Sequence, residues 1–162
     1  MARLSSLLSL LSLVLGASTA LAVDYRWTVG YDQGTLEATV DNRNDSSFEI
    51  YCPQGQTDTT PGMFIIVKGI EPKAGEKVLV QIVIDGTSHP FELDEIQFLA
   101  NSRTAKWQFR DLVLSLASSR QKSFVVEFPK YDTSETFSLL DAKKALGIGK
   151  ESILEGCGES SW

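Results

Sequence analysis

Two cysteines, one histidine and two short clusters of acids are the side chains of this 162-residue sequence that invite a chemical reading. Cys52 and Cys157 are the only sulfurs able to pair. An isolated pair in an exported chain reads as a disulfide. Two buried free thiols, or one thiol kept for another molecule, are the other ways to use them. His89 stands alone beside Pro90. One imidazole cannot hold zinc without thiolates or carboxylates around it. No G-x-S-x-G elbow accompanies the many serines. His89 therefore reads as a surface residue, and no catalytic, metal-binding or cofactor-binding residue is expected.

The acids gather at Glu92, Asp94 and Glu95, and again at Asp132 and Glu135. Paired carboxylates could hydrolyse glycosides, but acids at strand ends are ordinary solvated surface. Asp41-Asn42-Arg43-Asn44-Asp45 lacks the glycine and distal glutamate of a calcium loop and places Arg43 at a ligand position, so it reads as a turn. Gly147-Ile148-Gly149-Lys150 is followed by Glu151 where a phosphate loop needs a hydroxyl. Asn44-Asp45-Ser46 matches the N-glycosylation acceptor, relevant only in a eukaryotic secretory route. Among the aromatics, Tyr25, Trp27 and Trp107 are candidates for contact with a partner, with core packing the competing role for both tryptophans.

The N-terminus defines the compartment. Arg3 precedes an apolar, leucine- and serine-rich run from Leu7 to Gly16, and Ala20-Leu21-Ala22 forms a small-x-small site. This pattern predicts a signal peptide over residues 1–22, with cleavage between Ala22 and Val23. The apolar run is short for a bilayer span, which needs about 20 residues, and no later stretch replaces it. The mature chain, 23–162, suits one domain without a transmembrane anchor. The full sequence carries a net charge of −6, and loss of Arg3 makes the mature chain more acidic still. That balance argues against nucleic acid as a partner.

The elements that position these residues are mostly strands. Tyr25 to Val29 is a short strand candidate. Leu36, Ala38 and Val40 alternate with polar residues, and Phe48, Ile50 and Cys52 share the next inward face with Glu49 and Tyr51 outward. Pro53 to Gly62 reads as a polar loop, and Met63 to Val67, a continuous apolar run, as a buried strand. Lys77 to Ile84 is followed by Asp85-Gly86, a hairpin signal, and then by Ser88 to Leu93. The period changes in Ala105 to Ser118, where Phe109, Leu112, Val113 and Leu116 form one helical stripe. Phe124, Val126 and Phe128 alternate again, and Glu135 to Leu139 pairs back. Leu139, Ala142 and Leu146 face one side of a short helix that Gly147 would end in a left-handed conformation. Ile153, Leu154 and Cys157 close the chain's last apolar face. With about seven to nine strands and two or three short helices, none in regular βαβ alternation, the fold is mainly β. It is expected to be a β-sandwich or a curved antiparallel sheet with the helices packed at its edges.

Trp27, Ile50-Tyr51-Cys52, Val80-Gln81-Ile82-Val83-Ile84-Asp85-Gly86, Phe137-Ser138-Leu139-Leu140-Asp141-Ala142 and Cys157 follow a layout found in small exported bacterial proteins. In this the sequence resembles the invasion-associated locus B family. It is also similar to the periplasmic accessory proteins associated with type VI secretion. Asp141 stands where those families often have glycine. The resemblance implies an exported β-rich protein with one disulfide and an interaction role, and it implies no catalytic residue. The expected function is thus that of a non-enzymatic periplasmic or secreted protein that binds an envelope or secreted protein. The alternatives are a small hydrolase of cell-wall or extracellular polymer working through Glu92, Asp94 and Glu95, or an enzyme inhibitor presenting the Pro53 to Gly62 loop.

Overall fold

The computed structural model describes residues 25–55, 60–149, 151–158 and 162. Ala22 and Val23, the expected cleavage site, lie outside these residues. Nine strands form one antiparallel sheet: β1 (Thr28–Asp32), β2 (Thr35–Asp41), β3 (Ser47–Pro53), β4 (Gly62–Ile66), β5 (Lys77–Ile84), β6 (Thr87–Asp94), β7 (Gln97–Leu99), β8 (Ser123–Phe128) and β9 (Thr133–Ser138). Their order across the sheet is β1-β2-β3-β4-β7-β6-β5-β8-β9. Three α-helices accompany the sheet: α1 (Arg103–Ser118) between β7 and β8, and α2 (Ala142–Leu146) and α3 (Ile153–Gly156) after β9. Of the two expected arrangements, the curved sheet is the one found, and there is no second sheet among the described residues.

Ring distances reveal how strongly the sheet curls. Phe48 on β3 and Phe124 on β8 are five strand positions apart, which on a flat sheet means roughly 24 Å at ~4.8 Å per strand. Their ring centroids are 5.2 Å apart, edge to face. Phe137 of β9 lies 5.9 Å from Phe48, and Trp27 lies 6.0 Å from Phe48 and 6.3 Å from Phe124. The concave faces of β3, β8 and β9 therefore meet, with Trp27, in one aromatic core. Alternation supplies that core. Ala38, Val40, Phe48, Ile50, Val78, Val80, Ile82, Phe124 and Val126 are all buried, each at every second position of its strand.

Tight turns set the registers. Asp85 (φ 52°) and Gly86 (φ 78°) both adopt positive φ between β5 and β6. Gln33 (φ 45°) and Gly34 (φ 86°) do the same between β1 and β2. This is the two-residue hairpin turn whose twist matches that of the strands.

Several local expectations are corrected. The first strand begins at Thr28, so Trp27 precedes it and plugs the core instead of lying within it. Tyr51 is buried although its position faces away from Cys52. Its ring stacks on Phe64 at 5.0 Å and lies over Gly62, its partner across the ladder, where a Cβ would come within 2.6 Å of the Tyr51 hydroxyl. Met63 to Val67 alternates rather than being wholly buried, with Ile66 exposed. The short β7 carried no sequence signal long enough to read. Gly147 is not left-handed (φ −77°). It is glycine because a Cβ there would meet the Lys143 carbonyl oxygen at 2.4 Å. The left-handed residue lies at the other end of α2, at Asp141 (φ 64°), a conformation that Asp tolerates better than most side chains.

Candidate functional site

The 16-residue α1 is capped by Ser102, whose hydroxyl accepts from the Ala105 N–H at 3.2 Å, satisfying a donor that the helix leaves free. Its Phe109, Leu112, Val113 and Leu116 stripe is buried, with the Phe109 ring 5.7 Å from Phe98 of β7. A second stripe, Trp107, Arg110 and Leu114, follows the same i, i+3, i+7 spacing on the flank. There it lines a cleft of about 620 Å³ whose other wall is Ile148, α3 and Trp162. Trp107 is 56 % exposed and Ile148 92 % exposed.

That opposite wall is held by the disulfide. Cys52 of β3 and Cys157 at the end of α3 are bonded, with Cα atoms 5.8 Å apart and 105 positions between them in sequence. Hydrogen bonds reinforce the anchor. The Gln54 side-chain amide donates to the Gly156 carbonyl at 2.9 Å. The Ser152 hydroxyl donates to the carbonyls of Gly149, at 2.7 Å, and Gly147. Gly156 packs so closely on Leu36 that a Cβ would fall 2.3 Å from its Cδ2. Trp162 lies 5.9 Å from Phe109 and donates its indole N–H to the Leu154 carbonyl at 3.3 Å. The covalent tie thus sets one wall of the cleft and α1 the other. The half-buried Arg110 guanidinium and the exposed Glu155 carboxylate give this apolar cleft two charged rims.

The remaining sequence candidates scatter. Trp27 is 3 % exposed, and its indole N–H donates to the Ser138 carbonyl at 3.0 Å. It is a core residue, which corrects its candidacy as a surface contact. Tyr25 is half-buried. Trp107 alone of the three lines the cleft. The Pro53 to Gly62 loop is described only in part, residues 56–59 lying outside. His89 is half-buried rather than on the open surface. Burial lowers its pKa, opposed by the nearby Asp111 carboxylate.

Glu92, Asp94 and Glu95 do share a polar groove of about 700 Å³ with Lys77 and Gln97. Two of the three acids are already engaged. Asp94 pairs with Lys77 at 3.1 Å, and Glu95 accepts from the Gly75 N–H at 2.8 Å. Asp132 and Glu135 do not form a pair of similar acids. Asp132 is exposed in a left-handed turn (φ 49°), whereas Glu135 is buried. No group of three or more His, Cys, Asp or Glu among the described residues could hold a metal ion. No helix among them is long and apolar enough to cross a membrane.

Sequence reading missed the role of Asn42. In the supposed turn, its side-chain oxygen accepts from the N–H groups of Asn44 (2.9 Å) and Ser46 (3.1 Å). Its amide donates to Glu135 at 2.7 Å and to the Thr136 carbonyl at 3.3 Å. Asn44 donates to the same Glu135 oxygen at 2.9 Å. The signal available was an Asn-x-Asn turn with an Asp-Ser ending, which fixes the local loop but not its distant acceptor.

Curled sheet, single disulfide and tail-walled cleft together define a small disulfide-closed β domain with a helical rim. Residues 25–146 match the YfjT family, and the chain belongs to it. No curated protein and no solved structure matches the chain.

Proposed function

We propose that the protein is an exported accessory protein, periplasmic or secreted, that works by binding another envelope or secreted protein and not by catalysis. On this reading it is an invasion-associated locus B-like protein, or a relative of the type VI secretion-associated accessory proteins. The observation that carries the reading is the Cys52–Cys157 bond. Such a bond persists in oxidising compartments outside the cytosol, and the leader-like residues 1–22 point the same way. The Trp107 cleft supplies the partner face. An exposed tryptophan beside an apolar cleft with a polar rim has the make-up of an interface anchor.

The test is affinity capture from envelope extract with the wild type and with Trp107→Ala in parallel. One stoichiometric protein should be retained by the wild type and lost from the variant. Trp107 is exposed, so the variant's unfolding free energy should change by less than about 0.5 kcal/mol. A partner retained equally by both proteins would move the interface elsewhere. The second reading is hydrolysis of cell-wall polymer, favoured by the three carboxylates gathered in one groove. Turnover that disappears in a folded Glu92→Ala, Asp94→Ala, Glu95→Ala protein would replace the first reading with the second.

A further inference from the structure

The sheet has two edge strands, and they are finished differently. Along β9 and just past its end, three carbonyls that point away from β8 are covered. Thr136 accepts from the Asn42 amide at 3.3 Å, Ser138 from the Trp27 indole at 3.0 Å, and Leu140 from the Trp27 backbone N–H at 3.0 Å. These contacts obstruct strand addition along the C-terminal half of that edge, and covering an edge is one of the ways native sheets protect it.

The β1 edge has no such cover among the described residues. Its turn to β2 is a two-residue hairpin with Gln33 and Gly34 at positive φ, which makes the flanking pair Asp32–Thr35 a hydrogen-bonded one. Alternation then turns Gly30 and Thr28 toward β2 and leaves the N–H and C=O of Val29 and Tyr31 pointing outward. Trp27, next in that series, does point its N–H away from β2, to Leu140. All five residues of β1 are exposed. Val29 and Tyr31 share the face of Ala38 and Leu36, their partners on β2, so an apolar pair sits uncovered on the concave side. Gly30 is also unexplained within the monomer. Its φ is not left-handed, and an added Cβ would meet nothing within 4 Å. A glycine inside a strand weakens it and marks places where another backbone comes close.

We propose that β1 pairs antiparallel with β1 of a second copy of this chain, about a two-fold axis through Gly30. The strand is complementary to itself in that register. Val29 of each copy lies opposite Tyr31 of the other, in hydrogen-bonded pairs that use the four outward groups of each strand. This places a β-branched residue against an aromatic ring twice, a favourable cross-strand combination. Gly30 meets Gly30 at the axis. Asp32 falls opposite Thr28, so no like charges oppose each other. Thr28 lines a groove of about 550 Å³ between β1 and α2, whose cations are Arg26 and Lys144 and whose acids are Asp141 and Glu151. Arg26 is paired with Asp141 at 3.3 Å, which leaves the Lys144 side of the groove to receive the incoming Asp32. The contact is isologous, so it closes at two copies. This inference does not depend on the binding role proposed above.

Sedimentation velocity of the purified full chain, with its disulfide intact and over a wide concentration range, tests the pairing. A reversible monomer–dimer equilibrium is expected, with amide exchange at Val29 and Tyr31 slowing as concentration rises. Val29→Pro removes an outward N–H and leaves the β2 ladder whole. With circular dichroism unchanged, it should raise the dissociation constant about tenfold or more. Asp32→Lys leaves the backbone intact and should weaken association in the same direction, which decides the matter if the proline variant does not fold. A monomer at every concentration overturns the proposal. Slow exchange of Val29 and Tyr31 in that monomer would assign the edge to the chain's own remaining residues, and fast exchange would leave it bare. A dimer that both folded variants leave unchanged overturns it equally.

Discussion

Asn42 shows how a single side chain can join distant parts of a chain. Its four hydrogen bonds organise the β2–β3 turn and reach Glu135 and Thr136 on the last strand. A buried carboxylate needs such donors, because an unmet acceptor costs more than a met one returns. Asn42→Ala removes the shorter of the two side-chain amide bonds to Glu135 and frees two turn N–H groups. Chemical unfolding should show a loss of about 1–3 kcal/mol. The sequence disclosed half of this. Asn and Asp between two alternating runs mark a turn by local chemistry, and a turn is there. The acceptor lies on a strand more than ninety positions later, and no local pattern specifies it. Tyr51 was misread for a related reason. Alternation assigns a face, but Gly62 across the ladder creates the space that buries the ring on that face.

Elements with a sustained period were the readable ones. Lys77–Ile84 and the buried stripe of α1 stand where their spacing placed them, and the Asp85–Gly86 turn has the positive φ values that its residue types favour. Short β7 and the contacts between elements were not readable, since three residues carry no period. One such contact ties the segment before β5 to Pro129–Tyr131, a 3₁₀ turn that follows β8. The Glu76 carboxylate accepts from Lys130 and Tyr131, each at 2.6 Å, and from the Lys73 N–H at 3.0 Å. The Lys130 and Tyr131 bonds, then the backbone bond, hold its pKa down to about 2 from an ordinary 4.5. A depressed carboxylate stabilises the fold fully above its unfolded pKa and loses that contribution as pH falls through the folded value. Wild type and Glu76→Gln should therefore differ in melting temperature at neutral pH. The gap should narrow between pH 4.5 and about 2 and vanish below. A gap that stays constant through that window would remove Glu76 from the acid response.

Across the whole molecule, curvature and closure are separate achievements. Curvature brings Phe48, Phe124 and Phe137 together from opposite halves of the sheet, and Asn42 and Trp27 seal the seam between β9 and the first hairpin. The disulfide then fastens the tail over β3 and gives the Trp107 cleft its second wall. The pairing of the two cysteines was readable because only two are present; the cleft was not, because it exists only once the tail is in place. A closed loop of about a hundred residues is worth roughly 4–5 kcal/mol in the chain-entropy account. Cys52→Ser with Cys157→Ser should lower unfolding free energy by about that amount and expose Trp162, which a red shift in its emission would register.

The account rests most heavily on a protein that lives outside the cytosol with this one bond formed. Alkylation of the native protein, taken from its own cell's envelope and medium without reductant and followed by mass analysis of its peptides, addresses that directly. The account predicts no label on either sulfur, a single linked peptide pair joining Cys52 to Cys157, and a chain that begins at Val23. Labelled cysteines in an uncleaved chain found with the cytosolic fraction would contradict it.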